Sequence, residues 1–245
     1  MSVTSRQGVD LYYETTGNGP ALVMLHGFFG SSQDWYEYGY VSAFSADFRI
    51  VTTDFRGHGK SGKPLELEAY GIPEYAQDVR QVLQVNSVKE FHLIGFSRGA
   101  RVGFALSTIA DIRIKSFVCI GEHPFAEDMS SIRDGIDKID IWAKGCGISL
   151  DHQKRLLANN RAALRAAAAQ DRPEENVDRV TMPTLVVAGQ RDTDYEKIVQ
   201  TASLLPHATL LTLEGLDHFE SLTKSDRVLP SVIDFLHRQA RVYRS

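Results

Sequence analysis

Three residues far apart in the chain have the types needed to build an activated nucleophile: Ser97, Asp192 and His218. Ser97 lies in Gly95-Phe96-Ser97-Arg98-Gly99, between the apolar run Phe91-His92-Leu93-Ile94 and the helix-like stretch Ala100 to Leu106. Strand, tight turn and helix is the setting in which G-x-S-x-G lifts a serine to the apex of a sharp turn. The flanking glycines supply clearance and unusual dihedrals where strand and helix pass close together. Taken alone, the five residues also fit an ordinary glycine-rich turn. A serine is a poor nucleophile unless a base takes its proton, a carboxylate orients the base and donors hold the developing oxyanion.

The remaining groups stand at the ends of strand-like segments. Thr184–Ala188 runs into Gly189-Gln190-Arg191-Asp192, and Thr209–Leu213 runs into Glu214-Gly215-Leu216-Asp217-His218. Catalytic groups of parallel α/β sheets gather beyond the C-terminal ends of strands, so Ser97, Asp192 and His218 are expected to face one crevice. Asp194 is a second choice for the orienting acid. Asp217, adjacent to His218, suits a loop-structuring role. Of the other histidines, His207 and His237 read as surface residues and His152 as a helix-surface residue. Two backbone N–H groups are the expected oxyanion donors: Arg98, directly after the serine, and Phe28, in the His26-Gly27-Phe28-Phe29-Gly30 loop after the strand Ala21–Leu25. His26 reads as a structural imidazole that ties loops together.

Phe29, Trp35, Phe96, Phe125 and Trp142 are candidate pocket walls favouring apolar acyl or alcohol groups; packing of a lid is the other reading of Trp35 and Trp142. Glu122-His123 follows the strand Lys115–Ile120 and points to the same crevice, so His123 is a candidate substrate contact, or equally a backbone tie. The loop Asp54-Phe55-Arg56-Gly57-His58-Gly59-Lys60-Ser61-Gly62 lacks the lysine–serine helix of a phosphate-binding loop, and no G-x-G-x-x-G follows the first strand. Its Asp54, Arg56 and His58 read as polar staples.

These residues need a scaffold. Short apolar runs alternate with helix-period segments, the pattern of an α/β sheet. The expected strands are Val9–Tyr13, Ala21–Leu25, Ile50–Asp54, Phe91–Ile94, Lys115–Ile120, Thr184–Ala188 and Thr209–Leu213. Pro73 suits the first turn of a helix, and Ile72, Tyr75, Ala76, Val79, Val82 and Leu83 make its buried stripe. Leu229, Val232, Ile233 and Leu236 repeat that pattern. From Phe125 to Arg179 the alternation stops. One helix is expected to bury Ile132, Ile136, Ile139 and Ala143, and a second to run from near Leu150 to Gln170, ending before Pro173. The segment 125–179 reads as a helical lid inserted in a core made of 1–124 and 180–245.

With 245 residues the chain is long enough for one large domain. A net charge of −4 argues against a nucleic-acid or anionic-membrane surface. No apolar run approaches the ~20 residues that span a bilayer, and Met1 to Gly8 lacks the apolar core of a secretion signal. The two cysteines, Cys119 and Cys146, form no metal-type spacing. Two free thiols in the cytoplasm are expected, with Cys119 a core residue.

Together the motifs resemble the α/β-hydrolase superfamily, specifically its small-lid serine esterase and lactonase branch. The matching pieces are His26-Gly27 after a strand, Asp54-x-Arg56-Gly57-His58-Gly59-x-Ser61, Gly95-x-Ser97-x-Gly99, Gly189-x-x-Asp192 and Gly215-x-x-His218, in the family order. The resemblance implies a mainly parallel eight-stranded sheet with helices on both faces and a helical lid. The eighth strand is expected before Ala21, within or after Tyr12-Tyr13-Glu14-Thr15. Ser97 sets the chain apart from relatives with an aspartate nucleophile. Phe96 and Arg98 replace the His and Met of many family esterases, and the charged Arg98 side chain must leave the turn and find a partner, expected among nearby Asp or Glu. The implied reaction is cleavage of a carboxylic ester or lactone through an acyl-enzyme on Ser97, without metal or cofactor. A carbon–carbon bond hydrolase or perhydrolase on the same scaffold is the alternative, and a non-enzymatic ligand sensor a further one. The expected partner is a small-molecule substrate, with no nucleic acid or membrane and a monomeric or homodimeric state.

Overall fold

The strands are β1 (Ser2–Arg6), β2 (Val9–Thr16), β3 (Ala21–Leu25), β4 (Arg49–Thr53), β5 (Glu90–Phe96), β6 (Arg113–Ile120), β7 (Thr184–Gly189) and β8 (Ala208–Leu213). In this computed structural model residues 2–125, 130–145, 148–170 and 177–242 are described, without the side chains of Ser130, Ser131, Trp142 and Val242. One eight-stranded sheet has the order β1-β2-β4-β3-β5-β6-β7-β8. β1 and β2 are antiparallel to their neighbours, and every pairing from β4 to β8 is parallel.

The parallel strands are apolar on both faces because helices cover both. In β3, Val23 and Leu25 join one core cluster while Leu22 and Met24 join the other, as the two-residue period of a strand requires. The first cluster includes Tyr75, Val79 and Leu83 of the helix Ile72–Val85 and Val102 and Leu106 of the helix Arg98–Leu106. The second holds Trp35, Tyr40, Phe44, Val232 and Leu236.

The eighth strand is not where it was expected. It is β1, ahead of Val9, paired with β2 from Ser2↔Tyr13 to Arg6↔Val9. Gln7 and Gly8 form the turn with φ of 52° and 75°, the paired positive values of a two-residue hairpin. At the sheet edge β1 carries little apolar patterning, so periodicity missed it.

Among the described residues between β6 and β7 there are the α-helices Ser130–Asp137, Ile139–Gly145, Leu150–Leu157 and Arg161–Ala169. Each of the two expected helices is broken once. The second stops because the Asn160 side chain accepts from the N–H groups of Ala162 and Ala163 and starts a new helix. Ile136, Ile139 and Ala143 are buried, as the stripe requires. His152 corrects the surface reading: it is 1% exposed, with Nδ1 2.6 Å from Tyr38 Oη. Cys119 is a core residue, and Cys146 lies outside the described residues. No helix among the described residues is long and apolar enough to cross a membrane.

Candidate active site

Ser97 connects β5 to the helix Arg98–Leu106 with φ 50° and ψ −124°, dihedrals that an L-residue holds only when its surroundings impose them. Sterics impose them here. A Cβ on Gly99 would stand 1.9 Å from the Leu25 carbonyl oxygen, and one on Gly95 would stand 2.6 Å from Ala100 N. Glycine at both positions lets the helix start directly against β3 and β5. The Ser97 N–H donates to Ile120 O at 2.9 Å, fixing the turn to β6.

Asp192 follows β7 and His218 follows β8. His218 Nδ1 lies 2.8 Å from Asp192 Oδ2. The Asp192 side chain is 1% exposed and the His218 side chain 37% exposed, so the carboxylate is enclosed while the ring reaches the cavity. Burial pushes the His218 pKa down. The hydrogen bond and charge of Asp192, with the charges of Glu122 and Asp194, push it up, and the net direction is up. Asp194, the second choice for the acid, faces His123 and Lys197 instead. Asp217 does structure its loop: its Oδ1 accepts the Glu220 N–H at 2.8 Å.

Ser97, Arg98, Phe28 and His218 line one cavity of about 720 Å³. Phe28 sits in the loop after β3, and Arg98 is the first residue of its helix, where N–H groups lack helical partners. His26 holds the loop in shape. Its Nδ1 is 2.7 Å from Gly27 O, and its Nε2 accepts the Phe55 N–H at 3.1 Å. Burial lowers its pKa, which suits a neutral ring that donates from one nitrogen and accepts at the other. Asp54 accepts the N–H groups of Ser32 and Lys60 at 2.7 Å each, and Arg56 forks onto Asp78 with two 2.6 Å bonds. Both act as staples. His58, buried, lies 3.0 Å from Arg56 O through Nδ1.

The Arg98 side chain meets two aromatic rings. Its guanidinium carbon lies 3.7 Å from the Phe28 ring centroid and 5.3 Å from that of Tyr75, and Nη1 donates to Tyr75 Oη at 3.1 Å. Planarity and weak hydration make arginine the cation suited to this buried stack.

Of the expected pocket walls, Phe29, Phe96 and His123 line the cavity. Trp35 does not: it is 1% exposed and packed against Tyr40 in the second core cluster. Phe125 is stacked on His123 and is not among the lining residues. The Trp142 side chain lies outside the described residues. Residues that sequence reasoning missed include Arg101 and Ile132. Arg101, four residues after Ser97 and so on the same helix face, is buried and donates to Glu122 Oε1 at 2.7 Å. Its spacing from the serine was the available signal.

The profile of the alpha/beta hydrolase fold matches residues 20–145, and the chain belongs to that family. A relative from Agrobacterium fabrum, named "Putative carbamate hydrolase RutD", is 26% identical over 93% of this chain and 97% of its own length. Among solved structures, a hydrolase from Pseudomonas aeruginosa has a TM-score of 0.83 at 24% identity, covering 96% of this chain and 97% of that one. The enol-lactonase from Burkholderia xenovorans has a TM-score of 0.81 at 20% identity, covering 96% and 100%. These two share the fold.

Proposed function

We propose that the chain is a serine hydrolase that cleaves a carboxylic ester or lactone through an acyl-enzyme. Ser97 attacks the carbonyl while His218 takes its proton. Asp192 orients the imidazole and stabilises its charged form. The Phe28 and Arg98 N–H groups hold the oxyanion, each such donor being worth about 3–4 kcal/mol in the transition state. His218 then protonates the leaving alcohol and activates the water that frees the acid. The segment 125–179 is read as a lid on the core, since its Ile132, Gly135 and Ile141 line the same cavity as Ser97.

The observation that carries this reading is the strained Ser97 turn opening on the same cavity as His218, whose ring Asp192 holds from behind. The lactonase and esterase names among structures of the same fold favour the same chemistry. Ser97→Ala is expected to fold with an unchanged melting curve and to lose hydrolysis of short p-nitrophenyl esters. A serine-directed phosphonate is expected to label Ser97 at one equivalent. Turnover that survives in Ser97→Ala removes the reading.

A further inference from the structure

The cavity wall carries charges that the reaction above does not use. Among the described residues Asp34, Glu122, Asp194 and Asp217 line it, against Arg98, Arg101 and Arg191. Most of these charges already answer to a partner. Arg155 holds Asp34 at 3.1 Å, Lys197 holds Asp194 at 2.7 Å, and Arg191 lies 2.8 Å from Glu220 and 3.8 Å from Asp217. The Arg98 guanidinium stacks on Phe28 and Tyr75.

Glu122 is placed differently. It stands next to Gly121, which packs so closely on His218 that a Cβ there would be 3.3 Å from Nδ1. Its Oε1 accepts from Arg101 Nη2 at 2.7 Å and from the His123 N–H at 2.9 Å. Its Oε2 accepts from no described residue and is not sealed from solvent. The residue is otherwise buried, 7% exposed, and lines the cavity, so this oxygen opens into it. His218 registers the charge. Burial pushes its pKa down, while Asp192, Glu122 and Asp194 push it up by more. A positive charge is favoured at this end of the cavity, and a second negative charge is opposed.

A carboxylate oxygen left open in an enclosed wall discriminates by sign. A substrate carboxylate entering here meets like charge and has no proton to offer Oε2, and Arg101 is already bound to that same Glu122. A cation meets the opposite charge. We propose that Glu122 selects the substrate by charge, turning away esters and lactones that carry a carboxylate and admitting those with a neutral or cationic group. The inference rests on the serine-hydrolase reading above. Coulomb's law sets the scale. At about 8 Å and an effective dielectric of about 20, one unit charge changes the affinity of another more than tenfold. The Arg101 cation offsets part of this, so about tenfold is expected. Desolvation works against ions of either sign. Only a charged wall separates the two signs.

The test uses p-nitrophenyl esters of matched length: the hexanoate, the monoester of adipate, which ends in a carboxylate, and the 5-(trimethylammonio)pentanoate, which ends in a cation. The wild-type protein is expected to cleave the cationic ester with a kcat/KM at least about tenfold above that of the anionic one. Glu122→Gln keeps an oxygen for Arg101 and the His123 N–H and removes the charge. It is expected to shrink the cation-to-anion ratio about tenfold. Asp194→Asn, whose charge Lys197 already balances, is expected to shrink it by less than about threefold. A wild-type ratio near or below one overturns the proposal and means that the arginines receive the carboxylate. So does a ratio that survives in Glu122→Gln or, should that variant not fold, one that Asp194→Asn abolishes. Failure of the serine-hydrolase reading looks different: the hexanoate ester is not turned over, or is turned over equally by Ser97→Ala.

Discussion

Replacing Arg98 by methionine separates what its side chain does for the oxyanion loop from what it does for folding. The guanidinium lies 3.7 Å over the Phe28 ring and donates to Tyr75 Oη at 3.1 Å, at a position 2% exposed. A desolvated cation–π contact contributes about 2 kcal/mol, and a hydrogen bond from a charged group about 1.5–3 kcal/mol. Burial of the cation offsets much of this, and methionine fills the same volume with an apolar chain. The net change in stability is therefore expected to be small, within about 2 kcal/mol. The effect on catalysis is not offset in that way. The guanidinium packs on Phe28 beside Phe29 and His58, and the Phe28 backbone is one of the two proposed donors. The ~2 kcal/mol of the stack sets the scale of the loss, about 30-fold in kcat, below the full cost of a missing donor. KM is expected to stay within about threefold, because the donors act on the transition state. Arg98→Lys keeps the charge without the planar stack and is expected to recover only part of the rate. The assay is steady-state hydrolysis of p-nitrophenyl butyrate with thermal melts of each variant. A kcat within twofold of wild type in a folded Arg98→Met would refute the argument, and so would a loss confined to KM.

Three further predictions concern protons and sterics. As the base, His218 must be neutral, so with its pKa raised the acid limb of kcat/KM is expected above the ordinary value near 6.5. Asp192→Asn removes the charge that raises it most and leaves burial opposed only by Glu122 and Asp194, so the limb moves to lower pH while the plateau falls by about 10⁴-fold; a pH–rate profile with an unmoved limb contradicts this. Burial, helped by the charge of Lys115, lowers the His92 pKa from 6.5 to about 4. The unfolded chain therefore binds this proton first, and its contribution to stability, complete above pH 6.5, is lost as pH falls towards 4. At 1.36 kcal/mol per pH unit the loss is about 3 kcal/mol, and denaturant titrations of His92→Asn are expected to show a flatter slope over that window. Gly99→Ala is expected to cost more than about 3 kcal/mol, because a Cβ 1.9 Å from the Leu25 carbonyl forces backbone apart; near wild-type stability would show that the turn is loose.

The catalytic candidates were legible because each stands next to a strand whose apolar run announces it. Gly95-x-Ser97-x-Gly99 carries its steric reason in its own glycines, and Asp192 and His218 follow β7 and β8 within a few residues. β1 was missed because an edge strand with one exposed valine has no apolar period to detect. The break at Asn160 was written in a residue that caps helices, but a continuous alanine-rich pattern outweighed it.

Which groups meet is a different kind of information. Composition and spacing marked Ser97, Asp192 and His218 as candidates, the sheet as parallel α/β, and Gly99 as the place of close approach. They ranked Asp192 ahead of Asp194, two residues away in the same loop, without geometry to support the order; a 2.8 Å contact to His218 and a 3.6 Å approach to His123 separate them. Nor could they say that Trp35 turns into the core, or that Arg98 stacks on Phe28 and Tyr75. Local pattern records which face of an element is apolar, because that depends on neighbours in the chain. The partner of a polar side chain depends on elements more than twenty residues away, and packing alone brings those together.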